Sequence, residues 1–455
     1  MPAAAARPHI VIVGGGYVGM YTALRLQRKL RRGEADVTVI DPNAYMTYQP
    51  FLPEAAAGNL EPRHMVVPLR RVLHKCQVIT GRVTKVDHAA RTVTVRPTPG
   101  ERYDLRYDVL VMAPGSVVRT LPIPGLLEQG IGFKTVAEAI YLRNHVLAKL
   151  DLAESTENDE LRRRALTFVV IGGGYAGIEA LGELEDMTRD ATRYYDNVGA
   201  ADLRWVLVEA SPRILPEVSQ QMGGYTIDRL KERGVDLRLS TRVESLVDGH
   251  VVLSDGTEFD TETVVWTAGV KPSPLLANTD LPLDTRGRVK AYATLQIEGT
   301  DSAWSAGDSA AVPDLSKDDP DATCAPSAQH AVRQTKVLAD NIVASLRGQT
   351  LKTYKHAYAG SVASLGLHKG VAEFRLLGRW WKARGVIAWF MHRSYHLKAL
   401  PTFNRKVRVM ADWTLGLFFR REIVSFGSFA NPRREWERAN EPLEQSIHAK
   451  GPANG

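Results

Sequence analysis

Ile10-Val-Ile-Val-Gly-Gly-Gly-Tyr-Val-Gly19 is a β-branched apolar run that breaks into glycines and then into a helical pattern. Glycine bounds the run as it bounds a buried strand, and Tyr17 to Leu30 carries Val18, Ala23, Leu24 and Leu26 at helical spacing. The implied order is strand, tight turn, helix. Gly14 permits the sharp turn, Gly15 and Gly16 follow it where backbone approaches a pyrophosphate, and Gly19 lets the helix pack close to the strand. The helix N-terminus then aims its free N–H groups at the anion. The next strand, Asp36 to Ile40, ends in Asp41, which lies 22 residues past Gly19. That is close to the spacing at which a carboxylate accepts hydrogen bonds from an adenosine ribose.

The motif occurs twice. Thr167-Phe-Val-Val-Ile-Gly-Gly-Gly-Tyr-Ala-Gly177 repeats the strand, the glycines (Gly172, Gly174, Gly177) and the helix. Here too an acid ends the following strand, Trp205-Val-Leu-Val-Glu209, although Asp186 to Asp202 lengthens the connection and puts Glu209 32 residues past Gly177. Two further strands end in small-residue turns that suit backbone lying against a nucleotide: Tyr107-Asp-Val-Leu-Val-Met-Ala-Pro-Gly115, with Ala113 and Gly115, and Glu262-Thr-Val-Val-Trp-Thr-Ala-Gly269. Ala303-Trp-Ser-Ala-Gly-Asp308 returns the chain to the first domain, with Gly307 and Asp308 placed to meet a flavin ribityl chain.

The expected fold is α/β, with two Rossmann-like dinucleotide-binding domains, the second inserted in the first, and a C-terminal amphipathic helical membrane-anchoring region. Expected limits are 1–120 and 291–374 for the flavin domain, 121–290 for the NADH domain, 375–430 for the membrane-binding region and 431–455 for a loose tail. Two sites on one chain suggest a prosthetic flavin and a diffusible nicotinamide. Glu209 would accept from a free 2′-hydroxyl and repel a 2′-phosphate, which favours NADH over NADPH.

A chain of 455 residues holds about two to three domains with full cores. Its 24% charged and 44% apolar residues describe a globular protein, and no window approaches the ~18 uninterrupted apolar residues of a spanning helix. Met1 to Arg7 is too short and alanine-rich for a signal peptide, so the chemistry is expected on the cytoplasmic side of the membrane. Cys76 and Cys324 show no CxxC spacing and read as inert thiols.

The chain's excess positive charge is local. Between Arg375 and Arg421 stand eleven Lys or Arg against one acid, Asp412, a net of +10 in a chain of +7. Trp380, Trp381, Trp389, Phe390, Trp413, Phe418 and Phe419 are interleaved with them, and Val386–Leu397 and Val407–Phe419 read as amphipathic helices separated by Pro401. Residues 375–421 therefore fit an anionic membrane surface. A partner protein or a homodimer interface is the alternative use, and no nucleic-acid motif accompanies the charge. His392 and His396 stand four apart, without a carboxylate at ligand spacing, and read as interfacial rather than metal-binding.

The two glycine motifs, the Ala-Pro-Gly and Thr-Ala-Gly turns and the Gly-Asp together resemble the two-dinucleotide-binding-domain flavoprotein superfamily. Within it, Gln49-Pro-Phe-Leu-Pro-Glu-Ala-Ala-Ala-Gly58, Phe133-Lys-Thr-Val-Ala-Glu-Ala-Ile140 and Gly177-Ile-Glu-Ala-Leu-Gly-Glu-Leu184 look like type II NADH:quinone oxidoreductase. The resemblance implies FAD and NADH as cofactors and a menaquinone-like acceptor. It places Glu179 near the nicotinamide and quinone end of the flavin. Ala328-Gln-His-Ala-Val-Arg-Gln334 matches the family's Ala-Gln-x-Ala-x-Gln quinone motif, with Gln329 first and Arg333 in place of the second glutamine. Gln334 lies one residue later, about 100° further round the helix. Disulfide reductases need a redox cysteine pair that is missing here. A soluble NADH-dependent reductase with the basic tail as docking surface remains the alternative enzyme, and a flavin-bearing redox sensor the non-enzymatic one.

Overall fold

The computed structural model describes residues 7–426. The residues before Arg7 and the tail expected at 431–455 lie outside them. The elements that position the site are, in chain order, β1 (His9–Val13), α1 (Tyr17–Lys29), β2 (Asp36–Asp41), α2 (Leu52–Ala56), β3 (Thr167–Ile171), α3 (Tyr175–Ala191), β4 (Arg204–Glu209), α4 (Ala328–Leu346), α5 (Gly385–Ala399) and α6 (Phe403–Phe418). By compactness the described chain falls into two units. Residues 7–47, 66–117 and 270–358 form the first, and 48–65, 118–269 and 359–426 form the second.

In the first unit β1 lies between β2 and the strand Val109–Met112, parallel to both, with Ile10 opposite Val37 and Val109. Gln77–Asp87 extends the sheet beyond β2 and Ala303–Ser305 beyond Val109–Met112, also in parallel. Thr92–Pro97 and Tyr103–Arg106 close one edge in antiparallel fashion, which makes seven strands. Ile10 to Val13 are all buried, as a parallel strand covered on both faces requires. α1 buries Val18, Met20, Ala23 and Leu26 and packs beside α4.

The second unit repeats the plan with five parallel strands in the order Gly130–Gly132, Thr263–Trp266, β3, β4, Asp236–Leu239. The two repeats agree in detail. Gly14 N donates to Ile40 O at 2.8 Å and Gly172 N to Val208 O at 2.9 Å, each acceptor being the residue just before the strand-ending acid.

The same unit continues into a three-stranded antiparallel sheet, Gly360–Ser364, Gly370–Leu376 and Arg379–Arg384, and then α5 and α6. Both expected helices are present. The stretch carrying Trp380 and Trp381 is instead a strand, paired Trp380 to Arg375 and Trp381 to Phe374. Pro401 stops α5 because it forces Leu400 into an extended conformation (φ −58°, ψ 125°). α6 begins at Phe403, four residues before the expected Val407.

α5 is inside out. Its inward face is Ala388, Trp389, His392, Arg393 and His396, whereas Val386, Ile387 and Phe390 face outward, the last two 69% and 66% exposed. α6 buries only Val409 and exposes Phe403, Val407, Met410, Leu415, Leu417 and Phe418. Among the described residues no helix is long and apolar enough to cross a membrane.

Candidate functional site

The glycines of each repeat sort into two kinds by what a Cβ would meet. At Gly14 it would strike the Ala113 carbonyl oxygen, and at Gly19 the Gly14 carbonyl oxygen; at Gly172 it would meet Thr267, and at Gly177 the Gly172 carbonyl oxygen. These four are glycine because backbone passes backbone too closely for a side chain. Gly16 and Gly174 have nothing within 4 Å and extended backbones (φ −73° and −76°), so neither packing nor conformation demands glycine there. Both stand at the N-cap of a helix, with free amides pointing the same way. Gly115 and Gly269 likewise face open space, although their φ of +68° and +92° supplies a second reason. The open side of each cradle thus fits the pyrophosphate of a dinucleotide.

The strand-ending acids close the cradles. Asp41 Oδ2 accepts from Gly15 N at 2.7 Å and Oδ1 from Asn43 N at 2.7 Å. Glu209 Oε2 accepts from Gly173 N at 2.6 Å and Oε1 from Ser211 N at 2.7 Å. The spacings of 22 and 32 residues therefore end in one geometry. A carboxylate has about four acceptor positions, which leaves capacity for ribose hydroxyls. Burial pushes the Asp41 pKa up, against hydrogen bonds from Gly15 and Asn43 that pull it down.

Elsewhere in the first unit, Asp308 Oδ2 accepts from Ser116 Oγ at 2.6 Å, and Gly307, at φ +70°, donates its N–H to Gln334 Oε1 at 2.7 Å. Gln334 is thereby buried as a strap. Gln329 and Arg333 both lie on α4 and are part-buried, and Arg333 Nη1 donates to the Gln329 carbonyl at 3.1 Å. Two residues beside them escaped the sequence reading. His356 Nε2 stands 3.2 Å from Gln329 Oε1, and His330 Nδ1 stands 2.9 Å from Tyr354 Oη. Burial and then the Arg333 cation hold His356 below its ordinary pKa.

In the second unit Glu179 and Glu183 are both buried, one turn apart on α3. Ser364 bridges them, its N–H donating to Glu179 Oε1 at 2.9 Å and its hydroxyl to Glu183 Oε1 at 3.0 Å. Asn59 Nδ2 donates to Glu183 Oε2 at 2.8 Å. Burial pushes the Glu183 carboxyl up to about 7, with the charges of Glu54 and Asp186 adding to it. Glu54 on α2 accepts from Trp413 Nε1 at 2.6 Å and pairs with Arg393 at 3.1 Å; the Arg393 guanidinium lies over the Trp389 and Trp413 rings at 4.1 and 4.8 Å. Arg393, counted in the basic tail, is thus an interior cation.

His392 and His396, expected at the interface, belong to this interior. His392 Nε2 lies 3.1 Å from Glu179 Oε1, an ion-pair contact off the axis of the ring N–H, and the two imidazole centroids are 4.5 Å apart. Nδ1 of His396 stands 3.0 Å from Tyr48 Oη. The signal for this was a pair of four-residue spacings, Glu179 with Glu183 and His392 with His396. Nothing in the sequence matched one pair to the other.

Residues 8–335 match the family model for pyridine nucleotide-disulphide oxidoreductases. A type II NADH:quinone oxidoreductase of Staphylococcus haemolyticus is 33% identical over 371 residues, which cover 80% of this chain and 89% of that protein. The type II NADH:quinone oxidoreductase Ndh of Mycobacterium tuberculosis is 29% identical over 451 residues, 94% of this chain and 93% of its own. In fold, the chain superposes on Plasmodium falciparum NDH2, solved in complex with NADH, with a TM-score of 0.83 at 16% identity, covering 92% of this chain and all of that one. With its duplicated glycine cradle and a family match across most of its length, the chain belongs to the type II NADH:quinone oxidoreductase family of pyridine nucleotide-disulphide oxidoreductases.

Proposed function

We propose that the chain is an FAD-dependent NADH:quinone oxidoreductase that does not pump protons and works as a peripheral protein on the cytoplasmic face of the membrane, with a menaquinone-like acceptor. The observation that carries the reading is the pair of glycines, Gly16 and Gly174, one at the helix N-terminus of each of two matched cradles, where neither packing nor backbone conformation requires glycine. Gly14, Gly15, Gly16, Gly19, Asp41, Ala113, Gly115, Gly307 and Asp308 would hold FAD. Gly172, Gly174, Gly177, Glu209 and Gly269 would hold NADH. When bound, the flavin supplies the chemistry of accepting a hydride and releasing two electrons.

The residues supply placement and charge. The helix N-termini at Gly16 and Gly174 bind the pyrophosphates, and Asp41 and Glu209 orient the adenosine riboses. Gln329 and Arg333 serve the acceptor end. Glu179 passes on the proton that quinone reduction requires. The outward apolar faces of α5 and α6, with Lys398 and Arg408 exposed on the same helices, supply the membrane contact at the level where quinones reside.

Steady-state turnover tests this reading. NADH oxidation should be supported by a water-soluble quinone and much less by an acidic iron–sulfur protein. The reverse preference would make the chain a soluble reductase that docks its partner on the basic tail.

A further inference from the structure

Reduction of a quinone by NADH consumes one proton from water for each hydride: NADH, a proton and the quinone give NAD+ and the quinol. If the proposed function holds, a solvent proton must reach a buried site, and the second unit contains a chain of groups suited to carry it. From Glu179 Oε1 the steps are 3.1 Å to His392 Nε2, ring against ring at 4.5 Å to His396, and 3.0 Å from His396 Nδ1 to Tyr48 Oη. His392 is 1% exposed, and its Nδ1 has no hydrogen-bond partner among the described residues. A buried imidazole nitrogen left open in this way is a place for a water or another exchangeable group. We propose that His392 holds the proton that quinone reduction draws from solvent and delivers it to the Glu179 carboxylate, and that His396 and Tyr48 are the route by which it is replaced. This inference rests on the quinone reading.

The charges around the pair favour that division of labour. Burial opposes the charged form of His392, but the Glu179 carboxylate beside it, with Glu54 of α2 and Glu183 of α3 behind, outweighs burial and raises its pKa. His396 is held well below its ordinary value by burial and by the charge on His392. These surroundings therefore favour the proton on His392 over the adjacent His396 ring, 4.5 Å away between centroids. The other charged groups packed on α5 are already engaged. Arg393 is paired with Glu54, Glu373 accepts from Ser219 N at 2.7 Å and faces Lys382 at 3.8 Å, and Asp412 of α6 is bound to His64 Nδ1 at 2.6 Å.

The test compares wild type with His392→Gln and Tyr48→Phe in anaerobic stopped-flow, with the NADH step and the quinone step measured separately and proton uptake followed with an indicator dye. His392→Gln should slow proton uptake and the quinone step together by about a hundredfold or more, and added imidazole should restore part of the rate. Tyr48→Phe keeps the ring and should slow proton uptake with a larger solvent isotope effect. A second readout needs no turnover. In 15N-histidine NMR the wild type should show an imidazolium that persists above the ordinary histidine range, is absent in His392→Gln and titrates lower in Glu179→Gln. Quinone rates equal to wild type in both variants would overturn the proposal. Equal slowing of both steps in His392→Gln, with no imidazole rescue, would do the same. A wild-type protein that accepts electrons from NADH but passes none to quinone would instead overturn the reading beneath it, and the NMR titration would still decide whether the Glu179–His392 pair holds a proton.

Discussion

Gly16 and Gly19 stand three positions apart in one motif and should fail in different ways. A methyl group at Gly19 meets the Gly14 carbonyl, so Gly19→Ala should cost about 3 kcal/mol or more of stability. A methyl group at Gly16 projects into open space, so Gly16→Ala should change stability by less than about 1 kcal/mol while the purified protein loses its flavin absorbance. Gly174→Ala should keep the flavin and raise the KM for NADH about tenfold. Full flavin content in Gly16→Ala, or an unchanged KM in Gly174→Ala, would contradict the cradle assignments. Glu183 gives a residue-scale test of a different kind. Its carboxyl is raised from the ordinary 4.5 to about 7, so the folded state binds the proton more tightly than the unfolded chain. Its contribution is complete below the unfolded pKa and is lost as pH rises through the folded one, by roughly 3 kcal/mol in all. Urea unfolding between about pH 5 and pH 8 should show wild type losing stability toward the higher pH and Glu183→Gln nearly flat. Parallel profiles would remove Glu183 as their source.

At the scale of the element, the repeats were legible and the interior of α5 was not. A strand that must turn at once onto a helix forces glycine at fixed places, so β1 to β2 and β3 to β4 announce themselves, and Glu209 was recognisable by its place at a strand end despite the longer connection. His392, Arg393 and His396 look in sequence like the polar face of an amphipathic helix. They face inward because Glu54, Glu179 and Glu183, brought from two distant segments, make the interior acidic at that point. Which face of a helix turns inward depends on its partners, and those partners are invisible to periodicity. The reversal has a measurable consequence. Ile387 and Phe390 are already in contact with solvent, so Ile387→Ser with Phe390→Ser should leave folding stability within about 0.5 kcal/mol. Each side chain fully buried in lipid is worth about 1.5–3 kcal/mol, so the double variant should partition to anionic vesicles at least a hundredfold more weakly in co-sedimentation. Undiminished partitioning would mean that α5 does not meet the bilayer.

At the scale of the whole chain, the proposed function assigns the two nucleotide cradles and the outward apolar helices to separate demands of one reaction: a reductant from water and an acceptor from the membrane. The acidic end residue of the second cradle, Glu209, predicts a preference for NADH over NADPH of about a hundredfold in kcat/KM, and Glu209→Ala should narrow it. The basic charge gathered between 375 and 421 is less a surface feature than its count suggests, since Arg393 is interior and Arg421 faces Asp190 at 3.8 Å with its side chain 7% exposed. Arg384, too, is engaged, lying over the Tyr225 ring at 4.9 Å, and Lys382 donates to Gln221 Oε1 at 2.9 Å. The central claim is the passage of electrons from NADH to a membrane quinone, and it is tested most directly by mixing the NADH-reduced protein anaerobically with anionic vesicles that carry a menaquinone analogue while following the flavin absorbance. Reoxidation should be rapid and faster than with the same quinone in uncharged vesicles. Rapid reduction by NADH followed by no reoxidation in either vesicle would contradict the account.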